Sequence, residues 1–193
     1  EFTQLDIEAS FIDEEFFYEL IEELAVKMFA IGGIALRRPF PRMTYAEAIE
    51  TTGTDRPDLR FGLRIVDVTD VFSQTNYSIF RQILNRGGCI KGINIQGQSG
   101  KLSKNVLQNE YAREIVPSFG AKGMTWMRAV DGSLESNIAQ FFSRRELDSL
   151  RKRFDVADGD VLIMIADPSR AVITSALGPL RLHLANRLGL VPA

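Results

Sequence analysis

Along residues 2–11 apolar and polar positions alternate: Thr3, Leu5, Ile7, Ala9 and Phe11 fall on one side, Phe2, Gln4, Asp6, Glu8 and Ser10 on the other. Side chains of a strand alternate with a period of two, so the pattern predicts a β-strand with one greasy and one mostly polar face. Asp13 stands where a helix cap belongs, and Phe17, Leu20, Ile21, Leu24, Ala25 and Met28 then recur at helical spacing. This strand and helix are expected to pack together. Gly32-Gly33, Pro39 and Pro41 break the pattern before Thr44-Tyr45-Ala46-Glu47, a capping box that opens a short helix ending near Gly53. A charged turn over 54–60 leads to a short strand over 63–66 and a helical turn over 67–72.

Polar, turn-prone residues 73–76 form the candidate boundary, after which the period changes. Residues 77–84 and 89–95 read as two strands joined across Asn85-Arg86-Gly87-Gly88 in a hairpin. Ser103 caps a helix to about residue 116 with Leu107, Tyr111, Ala112, Ile115 and Val116 as its apolar positions, and Pro117 and Gly120 as stops. A strand over 124–130 follows. Ser143 and Glu146 make a second capping box, opening a helix that turns Leu147, Leu150 and Phe154 inward. The run Val161-Leu162-Ile163-Met164-Ile165-Ala166 has no polar face, which predicts a central strand covered on both sides. The last helix, over 169–188, contains Gly178-Pro179. An interior proline costs ~3 kcal/mol, so a kink or two abutting helices are expected there. Internal repeats and low-complexity tracts are absent.

Composition narrows the picture. The chain has 193 residues, enough for one large domain or two small ones, and 45% hydrophobic with 25% charged residues fits a folded protein. A formal charge of −2 gives no global field for nucleic acid, so RNA contact would need a local patch. The single cysteine, Cys89, excludes an internal disulfide and a Cys-rich zinc site, and reads as a small buried apolar residue. No run approaches the roughly 20 apolar residues of a membrane span, and acids at Asp6, Glu8, Asp13 and Glu14 exclude a signal peptide, so a cytoplasmic location is expected. An opening Glu1 without initiator methionine is expected of an internal fragment.

Candidate chemistry is sparse. There is no phosphate loop, dinucleotide fingerprint or metal-ligand spacing, so no catalytic residue and no metal site is assigned. His183, the only histidine, is expected on the wet side of the last helix beside Asn186 and Arg187. Arg144, Arg145, Arg151, Lys152 and Arg153 make one helix basic, which is either a solvated face or a patch that contacts tRNA phosphates. On the first strand, Gln4, Asp6 and Glu8 stand ~7 Å apart along one side. If that face is covered, an amide and carboxylates there can grip a cationic amine; if not, they are the wet side of a sheet.

The stretch Glu1-Phe2-Thr3-Gln4-Leu5-Asp6-Ile7-Glu8 resembles the end of motif 2 in bacterial aspartyl-tRNA synthetases. Collinear resemblances follow at Pro41-Arg42-Met43-Thr44-Tyr45-Ala46-Glu47-Ala48, at Thr54-Asp55-Arg56-Pro57-Asp58-Leu59-Arg60-Phe61, at Phe119-Gly120-Ala121-Lys122-Gly123 and at Ala176-Leu177-Gly178 with Leu180-Arg181-Leu182. Phe119 replaces a more usual tyrosine, and Pro179 an expected alanine. The resemblance implies a parent class II ligase that activates aspartate with ATP and Mg2+, then transfers it to tRNA(Asp). The parent is expected to be a cytoplasmic homodimer. The resemblance also places Gln4 and Asp6 near the substrate aspartate, Asp6 toward its ammonium, with Glu8 a weaker candidate. The arginines that bind ATP are expected outside this stretch, so the fragment itself is expected to be inactive and to bind no cofactor. Arg56, Asp58 and Arg60 are expected to form loop-anchoring ion pairs.

The fold class expected is α+β: an incomplete class II core piece over 1–73, a two-layer GAD insertion over 74–188 with an antiparallel sheet and packed helices, and a return segment over 189–193. The alternative is a GAD-containing subunit of a tRNA-dependent amidotransferase acting as a tRNA-binding module. The motif-2-like sequence before the insertion speaks against it.

Overall fold

The structure is a computed structural model that describes residues 2–192. The chain divides into two compact units, Glu1–Met43 and Thr44–Ala193.

In the first unit, helix α1 (Glu14–Ile31) starts where its cap predicts. The Asp13 carboxylate accepts a hydrogen bond from the Phe16 amide at 3.1 Å, and Glu14 and Glu15 place negative charge in the first turn. Residues 2–11 form no strand, a correction to the sequence reading, and every side chain from 2 to 16 is exposed. A strand exists only through a ladder partner, and no described segment supplies one. The expected burial of this stretch against α1 is likewise not found. Polar contacts close the unit instead. Glu22, its one buried residue among those described, accepts from Arg38 Nε at 3.2 Å and from the Phe40 amide at 3.0 Å. Arg42 donates to both Glu15 carboxylate oxygens and lies 4.3 Å over the Tyr18 ring.

The second unit opens with α2 (Tyr45–Thr52). The Thr44 hydroxyl accepts from the Glu47 amide, and Gly53 ends the helix at φ 75°, a conformation glycine adopts without strain. Strand β1 (Val66–Asp67) and a 3-10 turn (Asp70–Phe72) follow, close to the expected positions. Residues 77–84 differ from the sequence expectation. The expected hairpin is a helix, α3 (Ser78–Leu84), leading into strand β2 (Cys89–Ile95). Tyr77, Phe80 and Leu84 lie three and four residues apart, which is helical spacing, and Phe80 is buried. Beyond Ser103 the backbone is a π-helix over Val106–Ile115, with the Val116 amide bonded to the Tyr111 carbonyl five residues back, and then a short α4 (Val116–Ser118). Strands β3 (Thr125–Val130) and β4 (Ser133–Glu135) pair across Asp131-Gly132, whose φ values of 48° and 75° suit a two-residue turn. That hairpin is missing from the sequence reading. Helix α5 (Arg144–Arg153) has the predicted capping box, Ser143 and Glu146 bonding each other's amides. Strand β5 (Val161–Asp167) and helix α6 (Arg170–Leu188) complete the unit.

The five strands run in the order β1-β2-β5-β3-β4, each pair antiparallel, and β5 is central as expected. Its side chains alternate between two cores. Val161, Ile163 and Ile165 pack with Tyr111, Leu177 and Leu184; Leu162 and Met164 pack with Phe72, Phe80 and Leu150. Helices therefore cover both faces. The α+β class with an antiparallel sheet holds, with one layer more than the two expected. Residues 44–73 contribute to both cores through Leu63 and Ile65 on one side and Val68 and Phe72 on the other. Helix α6 is a single element through Pro179, not two abutting helices. Pro179 and Ser175 are both exposed, so the carbonyl that lacks its amide partner lies on the wet side. Where α2 meets α6, a Cβ on Gly53 would lie 2.7 Å from the Gly178 Cα, so glycine permits the crossing.

Candidate functional site

Gln4 and Asp6 point the same way. The Gln4 side-chain amide donates to both Asp6 carboxylate oxygens, at 2.9 and 3.0 Å. Both residues and Glu8 are exposed. An amide beside a carboxylate can bind an ammonium ion and a neutral acceptor together, a pairing that gains strength only where water is excluded.

The five basic residues of α5 separate by role. Arg153 grips Asp70 at 2.7 Å and donates to the Asp67 carbonyl at 2.8 Å, and this guanidinium holds the Asp70 carboxyl below its usual range. Arg151 is half-buried, with a buried Nη1 that has no partner. Arg144 stands 3.8 Å from Asp148, one helical turn away. Arg144, Arg145, Lys152 and Arg153 are exposed, and with Arg153 held by Asp70 three of the five cations face solvent unengaged by another element. Arg145 lines a polar groove that also takes in Asp70, Ser143 and Glu146.

In the charged turn, Arg60 pairs with Asp58 at 2.7 Å and pulls its carboxyl down to about 2, while Arg56 stands 4.0 Å from Asp55. The stronger anchor of this loop went unnoticed in the sequence. Arg181, 1% exposed, donates to the carbonyls of Leu63 at 2.6 Å, Gly62 at 2.8 Å, Thr52 at 3.1 Å and Asp58 at 3.3 Å. Its sequence signal is a cation in register with Leu177, Leu184 and Leu188 on the apolar stripe of α6. A second buried cation, Lys91 on β2, meets Glu50 of α2, which Arg170 of α6 also reaches at 3.2 Å. The Lys91 contact holds the Glu50 carboxyl below its ordinary range. Lys91 shares the parity of buried Cys89 and Ile93, a legible sign that it points inward.

His183 needs correcting. It is half-buried, edge-on to the Tyr111 ring at 5.8 Å and the Phe119 ring at 6.2 Å, with its Nε2 buried and unpartnered. Cys89 is buried as expected, and burial raises its thiol. Among the described residues no group of three His, Cys, Asp or Glu side chains is placed to hold a metal ion, and no helix is long and apolar enough to cross a membrane.

The chain is similar over its whole length to aspartate–tRNA(Asp/Asn) ligase 1 of Syntrophus aciditrophicus, 79% identical over 192 residues that make up 27% of that protein. It is also similar to the aspartate–tRNA ligase of Geobacillus kaustophilus, 40% identical across 99% of the chain and 32% of the relative. The aspartate–tRNA(Asp/Asn) ligase of Natranaerobius thermophilus is 41% identical across 100% of the chain, again 32% of the relative. The chain thus spans about a third or less of the length of these curated relatives. The GAD domain family matches residues 80–177, from α3 into α6, which is half of the chain and includes the central strand. On that match, the chain belongs to the GAD domain family.

Proposed function

We propose that this chain is a segment of an aspartate–tRNA ligase. Its parent activates aspartate with ATP and transfers it to tRNA(Asp), in the cytoplasm and as a homodimer. Residues 1–73 belong to its catalytic core piece, 74–188 to the GAD insertion and 189–193 to the return. The observation that carries this reading is the reach of the similarity. The GAD match covers 80–177, yet the ligases align across 99–100% of the chain, so the residues before the insertion are ligase-like too. Nothing comparable favours the amidotransferase subunit. The exposed apolar side chains of α1 and residues 2–12 also suit a piece that is covered by other parts of a larger core.

In this reading Gln4 and Asp6 hold the substrate aspartate, Asp6 taking the ammonium and Gln4 donating to a carboxylate oxygen. Among the described residues no group of three His, Cys, Asp or Glu side chains is placed to hold an ion, and no step through ATP or Mg2+ is derived. In this reading the isolated chain, about a third or less of the ligases' length, has no activity of its own. The GAD part is RNA-proximal, with Arg144, Arg145, Arg151, Lys152 and Arg153 as its candidate tRNA contacts. Of these, Arg144, Arg145 and Lys152 are the ones free to reach phosphates.

Exchanging this chain for the matching stretch of the Syntrophus ligase and assaying aspartate-dependent pyrophosphate exchange tests the reading. The hybrid should exchange, and Asp6→Asn should raise the KM for aspartate about tenfold or more, the worth of one charge-assisted hydrogen bond. A folded hybrid without activity, or one indifferent to Asp6→Asn, removes respectively the ligase assignment or the assigned site.

A further inference from the structure

A cleft of ≈ 310 Å³ opens between α3, the segment before β3 and the end of β5. Its wall divides by chemistry. Tyr77, Ile79 and Met124 supply apolar surface, and Arg86 and Lys122 bring two cations. Both cations are exposed, and neither has a carboxylate partner among the described residues. The acid on the wall, Asp167, is buried and already accepts the Ser169 amide at 2.8 Å. Next to the cleft, the Tyr77 ring stacks on Phe141 with centroids 5.6 Å apart and planes 24° from parallel. Phe141 is 48% exposed, so aromatic surface continues outward from the cleft. Arg144 and Arg145, both exposed, follow it by three and four residues.

An exposed aromatic ring beside unpaired cations matches one ligand chemistry well. A nucleobase stacks on any flat ring, and its phosphates need cations rather than a fixed set of donors, so such a surface holds single strands with little sequence preference. A purely apolar ligand would leave Arg86 and Lys122 unused, and an acidic peptide would leave the stacked rings unused. The volume lies at the small end of ligand sites, about right for one nucleotide at a time. With a net charge of −2 the chain has no global pull on nucleic acid, so a local arrangement of this kind is what RNA contact requires. We infer that this cleft binds an unpaired stretch of RNA, a base resting on the exposed ring of Phe141, which Tyr77 backs, and phosphates on Arg86 and Lys122. The inference rests on the RNA-proximal reading of the GAD part and gives it a location beside, not on, the cations of α5.

Fluorescence anisotropy of the full 193-residue chain provides the test. The probes are a labelled short single-stranded RNA, a duplex of equal length and a glutamate-rich peptide. The single strand should bind best. The double variant R86A/K122A should weaken it about tenfold and flatten the slope of log affinity against log salt by about 1.4, two phosphate contacts at about 0.7 each. Phe141→Ala should cost at least about fivefold, the lower worth of one stacked base. Phe141 is half in water, so that variant keeps the fold, and a thermal melt of each protein checks this. If the RNA binds but only R144A/R145A weakens it, the cleft assignment fails while the RNA-proximal reading stands. If no RNA binds, both fail. Equal binding of the duplex, or tighter binding of the peptide, assigns the cations to something other than an unpaired strand and overturns the proposal. Pyrophosphate exchange by the hybrid ligase is independent of all these outcomes.

Discussion

The two compact units carry the same kinds of local signal and bury opposite things. Helix α1 has its cap, its acidic first turn and its apolar stripe, yet Ile21, Met28 and Phe29 are exposed. Among the described residues, twelve of the seventeen exposed large hydrophobic side chains lie in 2–34, and the only buried side chain of that unit is the Glu22 carboxylate. In the second unit, β5 alone feeds two cores, one on each face. An amphipathic pattern states which face is to be covered and says nothing of what covers it. The second unit contains its own cover; the first has only polar clasps. Even in the second unit, cations sit deep: Arg181 and Lys91 join the 44–73 stretch to the sheet and α6.

The largest expected effect tests the deepest of these ties. Arg181→Ala removes donors from four backbone carbonyls, and unsatisfied buried acceptors cost about 1–3 kcal/mol each, so the second unit should lose about 4 kcal/mol or more. Trp126, the sole tryptophan and a buried residue of β3, reports urea unfolding of that unit alone. Lysine should not rescue, because an ammonium cannot reach carbonyls spread as a planar fork reaches them. A loss below about 1 kcal/mol would mean that the 52–63 loop is held by other contacts.

Glu50 and Lys91 sharpen the comparison next. Glu50→Ala leaves a fully buried ammonium without its anion, at a cost on the order of 3 kcal/mol, whereas Lys91→Met removes the buried charge and should cost less. The same Trp126 melts rank the two variants, and the reverse order would show that Lys91 is not dependent on Glu50. The pH dependence follows from the sign of the shift. The folded-state pKa of Glu50 lies below the ordinary 4.5, so the unfolded chain takes up its proton first. The stabilisation is complete above about pH 4.5 and falls as pH drops through the depressed value. Asp58 behaves alike between 3.8 and about 2. Glu50→Gln should flatten the acid limb of the melting curve; an unchanged limb would assign acid sensitivity elsewhere.

How much of this was legible depended on whether a signal was local. The caps at Asp13, Thr44 and Ser143 and the central strand could be read because each is decided within a few residues. The 77–84 segment fits either period, as a short apolar run does, until a tertiary partner, here the ring cluster around Phe72, Phe80 and Phe142, selects the helix. The strand over 2–11 failed for lack of a pairing partner, which alternation cannot supply. His183 was placed on the wet face of α6 by periodicity, and two rings from the 106–119 stretch cover it instead. Arg181 is not legible from composition because arginine ordinarily lies outside.

The smallest effect belongs to the first unit. Ile21→Ser and Phe29→Ser remove exposed apolar surface, so each should move the Trp126 urea midpoint by less than the equivalent of about 0.5 kcal/mol. The same changes should lower the binding of a hydrophobic dye and any self-association, since a contiguous apolar face is an interaction surface wherever it is left open. The paired readout separates the two units. If the midpoint drops well beyond that range, the α1 face is supporting the second unit in solution and the contrast between a self-covered and an uncovered unit breaks. If neither the midpoint nor dye binding moves, the apolar stripe is not an open surface at all.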